Sequence, residues 1–256
     1  MCLNSKALTQ MNNNKLLTII ITTYKRPLKL KRCIDSIQKN EYLEILVVDD
    51  CPEKSAQTIT NQYSYINYIS KANKSNVANS RNLGISHSKG KYILFLDDDD
   101  YLLNNAIDDI LQGINCFTNF NFHFFNYLTK DLYGEREKRV SNVSLNSLLI
   151  VNSIPIGGYI IKKESIKKNF SEKLKTHEDW NFILDNLDEK FTLHRKKFIV
   201  MIDKTTENSI SKDLANYFYE DFLTIYNSHP APNLREERIS KLLNNFGKKP
   251  NQKELN

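Results

Sequence analysis

Four aspartates follow one another from Asp97 to Asp100, directly after the apolar run KYILFL. Clustered carboxylates repel, and a divalent cation relieves the repulsion. Oxygen ligands suit Mg²⁺ or Mn²⁺, which keep part of their water shell and bridge to phosphates. Capping a helix start is the other use of such acids. A second pair, Asp49-Asp50, closes the run EILVV. A strand-end carboxylate there can accept from a nucleobase N–H or a ribose hydroxyl, or cap a turn beside Pro52. Arg81 suits a diphosphate clamp as well as a surface charge. Farther on, His177-Glu178-Asp179-Trp180 sets two acids at a helix start. The helix dipole keeps a carboxylate ionised there, as a general base requires, although capping alone also explains the pair.

These residues need a scaffold that brings strand ends together. Leu16–Thr22 (LLTIIIT), Glu44–Val48, Tyr65–Ile69 and Lys91–Leu96 read as strands. Between them lie helices beginning at Pro27, over Ser55–Gln62 and over Val77–Ser88, the last closed by Gly90. This alternation predicts a mainly parallel sheet whose carboxyl-side strand ends form a ligand crevice. The second half is less regular. Ala106–Ile114 reads as a helix and Phe120–Tyr127 as a strand. Asp131–Asn142 reads as a turn or flexible loop. Gly157-Gly158 precede a short strand, Tyr159–Lys162. Trp180, Ile183, Leu184 and Leu187 form a helix stripe, and Phe191–Ile202 a long strand pair or a bent strand. Leu214–Ser228 and Leu234–Phe246 read as terminal helices, and Gly247–Asn256 as a frayed tail.

Composition narrows the classes. The 256 residues, 40% hydrophobic, are enough for a full α/β core. Lys and Arg number 36 against 30 acids, a net charge of +6 that suits a polyanionic ligand or an anionic membrane surface without demanding nucleic acid. Four cysteines lack C-x-x-C spacing, which argues against a zinc site and a disulfide framework and for reduced thiols. Residues 1–15 are polar and read as frayed, without the apolar core of a signal peptide. No apolar run approaches the ~18 residues of a spanning helix.

The ordered set TIIITTYKRP, ILVVDDCP, NVANSRNLGI, GKYILFLDDDD and HEDW resembles the family-2 glycosyltransferases of the GT-A fold, over about Leu16 to Ser211. The resemblance implies an α/β domain over 16–211, with a Rossmann-like nucleotide half at about 16–101 and an acceptor half at 102–211. A helical extension over 212–256 follows. It implies an inverting transfer from a nucleoside-diphosphate sugar, a UDP-sugar first of all, aided by Mn²⁺ or Mg²⁺. The acceptor would be a glycan or lipid-linked saccharide, in bacterial surface-polysaccharide assembly. Thr23, Tyr24 and Arg26 would line the nucleotide pocket, Asp50 would meet the base, and Arg81 would sit near the diphosphate. Asp97-Asp98-Asp99 would be the D-x-D motif. Asp97 and Asp98 would face the nucleotide sugar, Asp97 also meeting the metal through water, with Asp99 as the direct ligand. Asp179 would be the catalytic base beside Glu178. Trp180 and Gly158 would meet the acceptor, and His194 is a candidate further metal ligand. Ser75-Asn76 stand where the family often has Gly-Gly.

Two other readings of the same residues stay open. ILVVDD is like the first strand of a receiver-type, Mg-binding signalling module, although a strand and helix precede it here and no Met-Pro follows the acidic cluster. A sugar nucleotidyltransferase also uses a nucleotide and a metal, but would carry a Gly-rich loop where TTYKRP stands. The expected setting is cytoplasmic, with peripheral contact at the inner face of the plasma membrane and a homodimer as a further expectation.

Overall fold

A computed structural model describes residues 15–140, 143–205, 217–250 and 254–255. The expectations for residues 1–14, for the start of the first terminal helix and for part of the tail lie outside the described residues. The elements in chain order are β1 (Leu17–Thr23), α1 (Pro27–Asp35), β2 (Leu43–Asp49), the short α2 (Gln57–Thr60) and β3 (Ile66–Ser70). Then come α3 (Val77–His87), β4 (Tyr92–Asp97), β5 (Tyr101–Leu102), α4 (Ala106–Cys116), β6 (Phe122–Asp131) and β7 (Gly134–Lys138). The second half continues with α5 (Leu145–Leu148), β8 (Tyr159–Lys162), α6 (Glu178–Asn186), β9 (Thr192–Asp203), α7 (Phe218–Ser228) and α8 (Arg235–Phe246).

The strands form one sheet in the order β3-β2-β1-β4-β8-β6-β9-β5, with β7 paired on β6. β1 to β4 are mutually parallel, and β6 runs parallel to β9. β8 is antiparallel to β4 and to β6, and β5 to β9, so the sheet is mixed, as expected. β1 and β2 are buried along their whole length. Their apolar centres, Ile19–Ile21 and Ile45–Val48, follow from helices covering both sheet faces. On one face Ile19, Ile21, Val47 and Leu94 meet Leu30 and Ile34 of α1 and Ile107 and Ile110 of α4. On the other, Ile20, Val48 and Phe95 join Trp180, Phe182, Phe222 and Tyr226. The C-terminal helices therefore share the core of this second face.

The structure corrects several expectations. The helix over Ser55–Gln62 shrinks to one turn, because Thr60 is the only residue of α2 that is buried. Gly90 does not close α3 as a left-handed cap: the helix ends at His87 with Ser88 extended. Gly90 is instead needed for close approach, since a Cβ there would lie 2.4 Å from the Thr18 nitrogen. Residues 134–138, expected in a loop, form β7. Gly134, at φ 119°, turns the chain back onto β6. All five β7 residues are exposed, so no apolar alternation marks the strand in the sequence. The tail is not frayed at its described end, where Leu255 is 2% exposed and Asn227 donates to the Glu254 carbonyl. Cys33 and Cys51 are free and buried, but Cys116 is not a free thiol, which departs from the expectation of reduced cysteines. Among the described residues no helix is long and apolar enough to cross a membrane.

Candidate active site

The parallel register sets the site. Thr22 lies opposite Asp97, and Thr23 opposite Asp49, so the ends of β1, β2 and β4 open together on one edge. Such carboxyl-side ends are where open α/β sheets bind ligands. Asp49 is used structurally: it is fully buried and accepts from Cys51 N, Ala56 N and Tyr68 Oη. Asp50 accepts from Ser75 N at 3.0 Å and pairs with Lys71 Nζ at 2.8 Å. Ser75 thus serves Asp50, and Asn76 caps α3 by accepting from Asn79 N. The Tyr24 ring stands at the mouth, with Lys74 Nζ 4.4 Å from its centroid.

The four aspartates do four different things. Asp97 Oδ1 accepts from Arg81 Nη2 at 2.9 Å. Asp98 is fully buried, accepts from Thr23 Oγ1 at 2.6 Å and pairs with Arg26 at 2.6 Å. Burial pushes its carboxyl up to about 7, against the pull of Arg26 and Thr23. Asp99 pairs with Arg26 Nη1 at 2.8 Å and Lys29 Nζ at 3.7 Å. Asp100 is buried and accepts from Asp203 N at 3.0 Å, tying the acidic turn to β9. Its carboxyl is raised well above the ordinary value, first by burial and then by Asp97. Arg32 strengthens the tie by bonding both the Asp99 carbonyl and the Asp203 carboxylate.

Arg81 joins the two acidic motifs. It is 3% exposed, and its second Nη donates to Glu178 Oε1 at 2.6 Å. Burial opposes its charge, but Asp97 and Glu178 outweigh that and hold the guanidinium above its ordinary value. The family resemblance implied a place near the diphosphate; here both Nη groups already bridge carboxylates. Asn76, Asn79 and Asn82, on a different side of α3, bond residues 170–172 of the segment leading to α6. One helix therefore fixes the second acidic pair relative to the first.

Asp179 accepts from Trp180 N at 2.8 Å and from Asn152 Nδ2 at 3.0 Å. Burial, then Glu178, pushes its carboxyl up to about 7, against Arg81. His177, at φ 57°, sets the left-handed turn that starts α6. A poised carboxyl near neutrality suits proton abstraction.

Three candidates fall away from the site. Trp180 is 0% exposed, its Nε1 donates to Leu148 O at 2.7 Å, and its ring lies against Phe222 and Tyr226. It is a core residue and offers no face to a sugar. Gly158 is buried under Ile154 and Pro155, which a Cβ would crowd. His194 lies on β9 opposite Phe124 of β6, whereas Met201, which pairs with Tyr101 just past the acidic turn, lies opposite Leu128; about 13 Å of strand at roughly 3.3 Å per residue separates His194 from that turn. Its Nδ1 bonds the Val140 carbonyl. Sequence reading missed Lys71 on Asp50, Asn152 on Asp179, and Asp221, which holds the turn before α6, and it named Ser75 without its bond to Asp50. None stands in a motif.

Among the described residues no group of three His, Cys, Asp or Glu side chains is arranged to hold an ion. The donors at the end of β4 still fit a hard cation that takes one or two carboxylates and completes its shell with water and phosphate. The Asp97 side chain is 34% exposed, and Asp99 offers a second, less exposed carboxylate.

The sequence model for "Glycosyl transferase family 2" matches residues 18–117. An uncharacterized glycosyltransferase of Haemophilus influenzae is 30% identical over 223 residues, covering 78% of this chain and 73% of that protein. The chain belongs to glycosyl transferase family 2. A Campylobacter jejuni relative, GalNAc(5)-diNAcBac-PP-undecaprenol beta-1,3-glucosyltransferase, is 26% identical over 70% of this chain and 62% of its own. Staphylococcus aureus TarS 1-349 in complex with UDP-GlcNAc superposes with a TM-score of 0.68 at 17% identity, covering 90% of this chain and 80% of that one. The mannosyltransferase PcManGT of Pyrobaculum calidifontis, in complex with GDP-Man and Mn2+, gives 0.63 at 11% identity, covering 90% and 69%. At these identities the structures show the fold, GT-A. The family assignment sets aside the receiver and nucleotidyltransferase readings.

Proposed function

We propose that this family-2 glycosyltransferase moves a sugar from a UDP-sugar to a hydroxyl of a glycan or lipid-linked saccharide in bacterial surface-polysaccharide synthesis, with inversion at the anomeric carbon. The observation that carries the reading is the Arg81 bridge, which fixes Asp97 of the donor-side turn and Glu178 of the second acidic pair on one guanidinium. The base-recognition group is Asp50, with Thr23, Tyr24 and Arg26 at the same strand ends. Asp99, and Asp97 through water, would hold Mn²⁺ or Mg²⁺, which supplies charge neutralisation for the departing nucleoside diphosphate. Asp179 removes the proton of the attacking hydroxyl, and Glu178 anchors the helix start to Arg81. Support for the donor comes from the TarS complex, for the metal from the PcManGT complex, and for the acceptor from the undecaprenol-linked name of the Campylobacter relative. Peripheral contact with anionic membrane at the cytoplasmic face fits the charge of +6.

A panel of UDP-, GDP-, CDP- and TDP-sugars with Mn²⁺ tests the donor by thermal shift. Transfer from the stabilising donor to a lipid-linked or oligosaccharide acceptor, with the product's anomeric coupling read by NMR, tests the reaction. Retention of configuration would overturn the inverting mechanism, and stabilisation by GDP-sugars alone would overturn the uridine assignment.

A further inference from the structure

Three consecutive backbone carbonyls lead towards the residue that touches Asp179, and each accepts from a different buried side chain. Trp180 Nε1 donates to Leu148 O at 2.7 Å, Arg238 Nε to Leu149 O at 2.9 Å, and Tyr226 Oη to Ile150 O at 2.6 Å. None of these three side chains belongs to a residue more than 1% exposed. The segment then reaches Asn152. Its Oδ1 accepts from Ile154 N at 3.0 Å, which aims its Nδ2 at Asp179 Oδ2, also at 3.0 Å.

The opposite approach to Asp179 is held from the same helices. Asp221 Oδ2, on α7, accepts from Lys175 N, Thr176 N and Thr176 Oγ1 at 3.0, 2.6 and 2.8 Å. Arg238 also donates from Nη1 and Nη2 to the carbonyls of Tyr226 and His229, locking α8 to the end of α7. A buried arginine with every bond to backbone carbonyls places those carbonyls firmly, because its planar fork allows one geometry.

We propose that Asn152 is a positioning residue for the base, and that α7 and α8 set it there through the carbonyls of Leu149 and Ile150. The inference rests on the reading of Asp179 as the base. The amide N–H is a neutral donor to a carboxylate, so it favours the ionised form and fixes which oxygen faces the acceptor. The charged and titratable groups around Asp179 are Glu178 on its own helix, Arg81 from α3, Asp97 from β4 and the Tyr159 hydroxyl from β8. None of them is on the segment that Asn152 occupies, so its variant leaves them in place.

The test uses full-length protein labelled with [¹³C]Asp, with the Asp179 carboxyl resonance identified by its loss in Asp179→Asn. In Asn152→Ala the titration midpoint should rise by about one pH unit, the effect of removing one hydrogen bond to a charged group. Tyr226→Phe keeps the ring packing and removes only the bond to Ile150 O; its midpoint should move the same way by less. The acid limb of donor turnover in both variants should move to higher pH in step with the midpoint, with nucleotide affinity unchanged. A midpoint unmoved in Asn152→Ala overturns the proposal. A midpoint moved there but fixed in Tyr226→Phe overturns the part assigned to the C-terminal helices. Near-normal turnover by Asp179→Asn overturns the base reading instead, whatever the titration shows.

Discussion

Asp179→Asn should make the enzyme inactive and more stable at once. The carboxyl is pushed up to about 7 from its ordinary 3.8, so the fold favours its protonated form. The stability this group permits is therefore full below 3.8 and declines as pH rises through 7. Holding it ionised in the fold costs at most about 4 kcal/mol. Solvent reaching the partly exposed carboxylate screens part of this, leaving about 2 kcal/mol. Asparagine keeps the shape, keeps a hydrogen bond to Asn152 and does not titrate. Urea denaturation at pH 8 should show the variant about 2 kcal/mol more stable than wild type, with the gap shrinking towards pH 4. The raised carboxyl of Asp98 is present in both proteins and cancels from the comparison. Turnover should fall about a hundredfold to ten-thousandfold, while nucleotide affinity stays put. Glu178→Gln should show the opposite sign on stability, because it weakens the pairing of the buried Arg81; about 1–3 kcal/mol is expected. A variant Asp179→Asn that turns over normally, or that is less stable at pH 8, refutes the reasoning.

Arg81→Lys should lose about 3 kcal/mol in urea and most of its activity, since one ammonium cannot span Asp97 and Glu178 as the planar fork does. Asp99→Asn should abolish the strengthening of UDP binding by Mn²⁺ in calorimetric titration while leaving metal-free UDP binding near wild type. His123 is fully buried, and among the described residues neither ring nitrogen has a hydrogen-bond partner. Burial pulls it down to about 4 from 6.5, so stability is full above 6.5 and is lost as pH falls towards 4. Wild type should lose about 2 kcal/mol through this residue between pH 6.5 and 5, and His123→Phe should flatten that part of the melting-temperature profile.

β1, β2 and β4 were legible because each announces itself locally, whereas the helix expected over Ser55–Gln62 was not. LTIIITT and LEILVVD are buried on both faces, and continuous apolar runs of that length leave little choice but parallel strands. The strand-end acids followed from the same reading, since Asp49 and Asp97 stand directly after the apolar residues of β2 and β4, whereas Glu44, buried inside β2, needs the Thr18 hydroxyl and the Lys89 amide as donors. The second half depends on contacts that sequence spacing does not encode. β7 carries only exposed residues, so nothing distinguishes it from a loop. Trp180 looks the same in sequence whether it stacks on a sugar or fills a core; only the packing of Phe222 and Tyr226, more than forty residues on, decides it. His194 became a candidate because it follows the base helix in the family pattern, whereas the register sets it along β9, away from the end that meets the acidic turn. Asn152 sits in a stretch without periodicity, and its role depends on three donors from α6, α7 and α8.

The acidic turn also shows why clustered carboxylates alone are a poor guide to a metal. Asp97 to Asp99 are answered within the fold by Arg26, Lys29 and Arg81, and Asp203 by Arg32. Repulsion among the aspartates is thus already relieved without an added cation, and the crowding that suggested a metal is not by itself a demand for one. A cation meeting Asp99 alone must compete with Arg26 and Lys29 for the same carboxylate. A cation arriving with a diphosphate does not, because the phosphate oxygens offer those two side chains another partner while completing the ion's shell. Metal and nucleotide should therefore bind as a coupled pair, each weakly alone. The cations that hold the turn together without ligand are then the same groups that would turn towards the diphosphate when it enters.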